Sequence, residues 1–179
     1  MSVKIIYFVH GTTLDNEGGK STGWAHGELS ELGIQQAKEL KNQIKEKDFD
    51  VMFCSDLKRA VDSASLGFQD SCEIIQDERL RECNYGDLNE ADESLVDYSK
   101  HIEEPFPGGE NLKDVEKRIR SFIDYLREEY DGKCVAIMAH KAPQLALEVM
   151  LNGKTWEKAI EEDWRKKKAW QPGWIYSVD

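Results

Sequence analysis

The chain has no apolar run long enough to span a bilayer, no CxxC pair or zinc-like cysteine spacing, and few cations for its size. Each absence removes a class of function. A spanning helix needs about 20 consecutive apolar residues, and Met1-Ser2-Val3-Lys4 leads straight into an apolar strand without the pattern of an export signal. Cys54, Cys72, Cys83 and Cys134 sit at irregular intervals, which reads as reduced thiols in a cytoplasmic protein. Lys and Arg number 24 against 35 Asp and Glu, a net charge of −11 spread along the chain. Binding to nucleic acid by counterion release needs clustered cations, so this balance argues against a nucleic-acid surface. It also repels anionic substrates, so any anion site must be a local basic pocket. At 179 residues the chain is read as one domain, 1–179, large enough to bury a core without disulfides or metal.

What is present alternates strands with helices. Ile5, Ile6, Tyr7, Phe8 and Val9 form a buried strand that stops at His10-Gly11. A helix opens at 29–33, with Ser30 as its N-cap, and runs through Gln36, Ala37, Leu40 and Ile44. A strand at 50–55, a helix at 57–68 and a short strand at 73–76 follow. The stretch 79–109 lacks periodicity and holds Pro105, Pro107, Gly108 and Gly109; long irregular excursions are usually lids or binding loops. Residues 111–130 form an amphipathic helix, its apolar face made by Leu112, Val115, Ile119, Phe122, Ile123 and Leu126. A strand at 133–138 ends in Ala139-His140, and 143–151 continues as helix. The expected fold is a three-layer α/β/α sandwich around a largely parallel sheet. A Trp-rich segment, 155–179, closes the chain.

Three strand ends share one design: a buried strand stops at a polar residue and a helix starts close behind. They supply His10, then Ser55 with Arg59 one turn into its helix, and then His140. Ligands of open α/β sheets sit at the carboxyl ends of the strands. Helix N-termini there offer free N–H groups to a phosphate or carboxylate.

On these residues the chain resembles the histidine phosphatase superfamily, which includes phosphoglycerate mutases and many phosphatases. The resemblance rests on an ordered set of fragments: His10-Gly11-Thr12-Thr13 with Asn16, Thr22-Gly23-Trp24, Leu29 to Ala37, Ser55 to Ala60 with Ser63-Ala64, Leu80-Arg81-Glu82 with Tyr85-Gly86, Pro107-Gly108-Gly109-Glu110 and Ala139-His140. It implies the phosphoglycerate mutase-like fold and four catalytic residues. His10 would take the phosphoryl group as a phosphohistidine, Arg59 would clamp its oxygens, His140 would donate to them, and Glu82 would exchange the leaving-group proton. Gly11, Thr13, Asn16, Thr22 and Gly23 would line the substrate pocket. No metal or organic cofactor is called for, and the implied partner is a small phosphorylated metabolite. Small α/β domains commonly form symmetric homodimers, the assembly to expect if there is one.

Two residues depart from the pattern. The superfamily's first motif is usually Arg-His-Gly; here Val9 takes the arginine's place, or the arginine is missing and the strand is one residue shorter. Either way one clamp is lost, at a cost on the order of 3 kcal/mol of transition-state stabilisation. Lys141 follows His140 where glycine is common, and either restores the positive charge as a substrate-binding residue or points into solvent.

The function expected is therefore hydrolysis of a small phosphomonoester through a phosphohistidine. A phosphoglycerate mutase is the weaker alternative: between Asp87 and Glu104 seven acidic residues (Asp87, Glu90, Asp92, Glu93, Asp97, Glu103 and Glu104) face one lysine, Lys100, a poor setting for a doubly phosphorylated acid. A non-catalytic phospho-ligand or protein-binding module is the alternative that the missing arginine favours. A metal site built from His10, His140 and Glu82 is a third. The tryptophans Trp156, Trp164, Trp170 and Trp174, with Arg165-Lys166-Lys167-Lys168 between them, suggest stacking on nucleic acid; in so acidic a chain the segment is instead expected to pack its indoles back on the domain. His26 and His101 read as exposed loop residues.

Overall fold

Alternation along the central strands decides the layering. In the computed structural model, which describes residues 2–43, 49–167 and 173–179, strand β1 (Val3–Val9) is followed by a one-turn helix α1 (Leu14–Glu17), a two-residue strand β2 (Lys20–Ser21) and helix α2 (Glu31–Gln43). Then come β3 (Val51–Cys54), α3 (Lys58–Phe68), β4 (Ile74–Gln76) and β5 (Ala91–Asp92). The chain finishes with α4 (Leu112–Glu129), β6 (Cys134–Ala139), α5 (Lys141–Asn152), α6 (Trp156–Glu161) and β7 (Trp174–Val178). The main sheet has the order β4-β3-β6-β1-β7; all neighbours are parallel except β7, which runs antiparallel along β1.

Successive side chains of a strand point to opposite faces, and both faces here are apolar. Ile5, Tyr7, Phe53, Val135 and Ile137 pack with the buried stripe of α4 and with Leu145 and Ala146 of α5. Ile6, Phe8, Met52, Ala136 and Met138 pack on the other side with Leu40 of α2 and Ala60, Ala64 and Phe68 of α3. This is the expected three-layer sandwich. Truncating Phe122, fully buried on α4, would cost about 3–5 kcal/mol.

The helix ends follow from local chemistry. Ser30 Oγ accepts from the Gly33 N–H at 3.2 Å, as its N-cap role requires. Asn111 and Asp114 exchange side-chain and backbone hydrogen bonds in a capping box. Helix α5 starts directly after His140, two residues earlier than the sequence suggests. Pro143 falls in its first turn, where a missing N–H costs nothing. Residue Ile44, expected in α2, and Lys168 and Trp170 of the C-terminal segment lie outside the described residues.

The irregular stretch 79–109 consists of single 3-10 turns and the short β5. Three of those turns are capped by aspartates, Asp77, Asp92 and Asp97, accepting from the N–H two residues on. His101 is half-buried and stacks on Phe106 with ring centres 3.8 Å apart, a correction to its expected exposure; His26 is exposed. Trp156 is buried, and Trp174 packs edge-on against Tyr7, so these indoles do fold back on the domain. No helix among the described residues is long and apolar enough to cross a membrane.

Candidate active site

Strands β1, β3 and β6 are parallel neighbours, so their carboxyl ends meet on one edge of the sheet. That edge opens into a cavity of about 850 Å³ whose wall includes Val9, His10, Asn16, Thr22, Gly23, Arg59, Glu82 and Lys141. His140 lies behind His10, fully buried, with the two ring centres 5.0 Å apart.

The tautomer of His10 is fixed from both sides. A carbonyl oxygen can only accept, so Nδ1, 2.7 Å from the Gly11 carbonyl, carries the proton. An arginine N–H can only donate, so Nε2, 3.3 Å from Arg59 Nε, carries the lone pair. Burial first, then the charge of Arg59, lowers the His10 pKa to about 3, which keeps the ring neutral. Burial likewise takes His140 well below the ordinary histidine range, with Arg59 and His10 adding to the effect. Neither ring nitrogen of His140 has a hydrogen-bond partner among the described residues. Its backbone is held instead: the Tyr7 hydroxyl donates to the His140 carbonyl at 2.7 Å and accepts from its N–H at 3.2 Å.

Arg59 is 2% exposed. Its Nη1 and Nη2 donate to the carbonyls of Ala25 and Gly23 at 3.1 and 2.7 Å, so the loop after β2 is folded onto the guanidinium. Gly23 has φ +56°, and a Cβ there would lie 1.9 Å from Asn89 Oδ1, so only glycine fits the turn that presents this carbonyl.

Glu82 sits at the start of α5. Its Oε1 accepts from the N–H groups of Cys83 and Ala142, both at 2.9 Å, and from the Tyr98 hydroxyl at 3.2 Å; Oε2 accepts from the Lys141 N–H at 3.2 Å. A carboxylate at a helix N-terminus satisfies otherwise orphaned donors. Arg118 of α4 donates to the carbonyls of Arg79, Arg81 and Glu82 and pairs with Glu110 at 2.9 Å, holding the turn that carries Glu82. The sequence offers no local signal for this role, because Arg118 looks like any polar residue flanking the apolar stripe of α4.

Two expected wall residues stand behind the wall. Gly11 donates its N–H to Ser63 Oγ and backs onto Gly33, where a Cβ on Gly11 would lie 2.3 Å from the Gly33 carbonyl oxygen. Thr13, fully buried, is spent on the capping box of α1, exchanging hydrogen bonds with Asn16 at 3.1 Å in both directions. Thr12 takes its neighbours' place at the cavity. Thr22 lines the cavity and donates to Asp15 at 2.8 Å.

Neither alternative for Lys141 describes it fully. It lines the cavity, but its Nζ lies 3.2 Å from the carboxylate of Asp163 and 4.5 Å from the centre of the Tyr98 ring. Arg165 and Trp164 from the C-terminal segment line the cavity as well. Among the described residues no group of three or more His, Cys, Asp or Glu side chains is arranged to hold a metal ion.

The comparisons with known proteins agree with this layout. Residues 6–164 match the family model described as histidine phosphatase superfamily (branch 1). The 2,3-bisphosphoglycerate-dependent phosphoglycerate mutase of Methylorubrum extorquens is 33% identical over 152 residues, 75% of this chain and 72% of that protein. Phosphoserine phosphatase 1 of Hydrogenobacter thermophilus is 30% identical over 162 residues, 84% of this chain and 77% of its own length. The crystal structure of the α-ribazole phosphatase from Shigella flexneri superposes with a TM-score of 0.77 at 26% identity, covering 88% of this chain and 84% of that one. With the family model spanning nearly the whole chain and the sheet edge carrying two facing histidines, this protein belongs to branch 1 of the histidine phosphatase superfamily.

Proposed function

We propose that the protein is a phosphatase that hydrolyses a small phosphomonoester through a phosphohistidine on His10. The observation that carries this reading is the tautomer of His10: in a ring that lines the cavity, Nδ1 donates its N–H to the Gly11 carbonyl and Nε2 keeps its lone pair beside Arg59. In the first step Nε2 attacks phosphorus, a P–N bond forms, and the P–O bond to the alcohol breaks. Arg59 shifts its Nε–H from Nε2 to a phosphoryl oxygen, and His140, whose ring nitrogens have no hydrogen-bond partner among the described residues, donates one N–H to another. The departing alkoxide takes a proton from Glu82. In the second step Glu82 takes a proton back from water, the hydroxide breaks the P–N bond, and orthophosphate leaves with His10 neutral again. Oε1 of Glu82 is filled by three donors, so Oε2, with one, is the oxygen that exchanges the proton.

Hydrolysis is favoured over mutase chemistry by the charge at the rim. Glu93 and Ser94 of the acidic stretch line the cavity beside Lys20, whose strand partner is Asp92, so the lysine's charge is offset by adjacent carboxylates and a second phosphate gains little there. Rapid quenching with a ³²P-labelled phosphoester should trap acid-labile label on the wild type and none on His10→Ala. Absence of label, together with no turnover of sugar phosphates, phosphoglycerates or nucleotides, would leave the non-catalytic binding module as the correct reading. Interconversion of phosphoglycerates faster than their hydrolysis would make the protein a mutase.

A further inference from the structure

We propose that Arg165 is the second guanidinium of the phosphoryl pocket, delivered by the C-terminal segment to the end of β1, where Nη2 donates to an oxygen of the bound phosphate. This rests on the reading of the cavity as a phosphomonoester site.

The sheet dictates the delivery. Because β7 runs antiparallel to β1 with Trp174 opposite Tyr7, the chain just before Trp174 emerges at the carboxyl end of β1, the end that carries Val9 and His10. Gly173 fits closely there: a Cβ would lie 3.0 Å from the Phe8 ring and 3.1 Å from the Tyr7 carbonyl oxygen. Arg165 lines the same cavity as Val9, His10 and Arg59, and its charge, like that of Arg59, acts to lower the His10 pKa.

Arg165 is also positioned for one open hand. Nη1 donates to Asp163 at 2.7 Å, and the Arg165 N–H donates to the same carboxylate at 3.2 Å. The guanidinium carbon lies 4.9 and 5.8 Å from the ring centres of Trp164 and Trp174, which are themselves 5.8 Å apart. Nη2, in contrast, is buried without a hydrogen-bond partner among the described residues. A buried, unpaired guanidinium N–H is costly unless something fills it. Arg59 cannot serve the whole phosphate alone, since Nη1 and Nη2 are both committed to backbone carbonyls. Asp163, 1% exposed, lies between Lys141 and Arg165 and pairs with both. Burial pushes its pKa up, but Arg165 and Lys141 together hold it below the ordinary value, so it stays charged and fixes both cations at the cavity edge. The arginine absent before His10 is thus matched by one from far along the chain, and Lys141 is a partner in holding it.

The alternative is that Arg165 only fastens the C-terminal segment to the body. Titration of the whole chain with inorganic phosphate, read by calorimetry, separates the two. Arg165→Ala should bind phosphate and turn over p-nitrophenyl phosphate about 10²–10³-fold more weakly, and millimolar guanidinium, but not an equal ionic strength of sodium chloride, should restore part of both. Arg165→Lys, which keeps the charge and the Asp163 pair, should fall in between, because an ammonium does not reproduce the fork. Phosphate affinity within twofold of wild type in either variant would overturn the proposal. So would a loss that guanidinium does not rescue and that comes with a changed near-ultraviolet spectrum of the tryptophans. The readouts keep the two readings apart. Weakened, rescuable phosphate binding without turnover in any variant would refute the phosphatase and leave Arg165 in place; label on His10 with kinetics indifferent to Arg165 would do the reverse.

Discussion

Two neutral histidines in a buried pocket make the stability of this protein fall on mild acidification, well before its carboxylates begin to titrate. Above pH 6.5 His10 and His140 are neutral both folded and unfolded, so unfolding takes up no proton at either. Between 6.5 and the lowered folded value, about 3 for His10, the unfolded chain binds a proton that the folded chain refuses. Stability is then lost as pH falls, at about 1.4 kcal/mol per pH unit for each histidine. From pH 6.5 to 4.5 His10 alone withdraws about 2.7 kcal/mol, and His140, shifted in the same direction by burial, adds to the loss. Against a total of about 5–15 kcal/mol for a domain, the protein should approach its unfolding threshold near pH 4.5. Carboxylates held below their ordinary values, such as Asp56 beside Arg81 and Asp163 beside Arg165, act only at lower pH. Urea titrations at half-unit steps from pH 7.5 to 4.5 would measure the slope in the wild type, His10→Gln and His140→Gln. Each substitution should flatten the slope. Superimposable slopes in all three proteins would refute the assignment of neutral, proton-refusing rings.

Other outcomes follow from single contacts. Glu82→Gln should slow the phosphorylation of His10, read in a single turnover, by about 10²–10⁴ for alkyl phosphates and much less for p-nitrophenyl phosphate, whose leaving group needs no proton; equal losses in that step would argue against protonation of the leaving group by Glu82. Arg118→Met removes donors to three carbonyls of the Glu82 turn and should cost about 10²-fold in kcat with little change in KM. A KM effect alone would place Arg118 in binding instead. Gly33→Ala sets a Cβ 1.9 Å from the Thr12 carbonyl oxygen; because that contact is backbone, no rotamer relieves it, and thermal unfolding should show a loss of about 1–3 kcal/mol.

What the sequence revealed was what local chemistry repeats. Buried strands ending at His10, Ser55 and His140 were visible because parallel strands read as continuous apolar runs, and α4 because its stripe holds a helical period over five turns. The cap at Ser30 is legible because a serine stands just before the first turn of an apolar-periodic run. Strand β7 is not, since in Trp174–Val178 the exposed face carries Ile175, 67% accessible, and the expected alternation is broken. Thr13 is a pocket residue by resemblance alone, yet its hydroxyl is the N-cap of α1, with Asn16 three residues on completing the capping box. Arg118 and Arg165 reach the site through tertiary placement only: one across 36 residues to Glu82, the other through the pairing of β7 with β1. Val9 stands where the resemblance expects an arginine, and nothing near it in sequence points to Arg165.

The interior position of β1, between β6 and the edge strand β7, also sets the timing of assembly. Both of its neighbours, β6 and β7, come from the far end of the chain, with Lys4 paired to Cys134 on one edge and to Ser177 on the other. During synthesis the run Ile5-Ile6-Tyr7-Phe8-Val9 therefore waits with both ladders of hydrogen-bonding groups open until more than a hundred later residues exist. Such non-local pairing is slow, and a short β-prone, uncharged run is the kind of segment that self-associates while it waits. The strand that leads to His10, the proposed nucleophile, is thus also an aggregation hazard, and a dense negative charge along the rest of the sequence keeps neighbouring nascent copies apart.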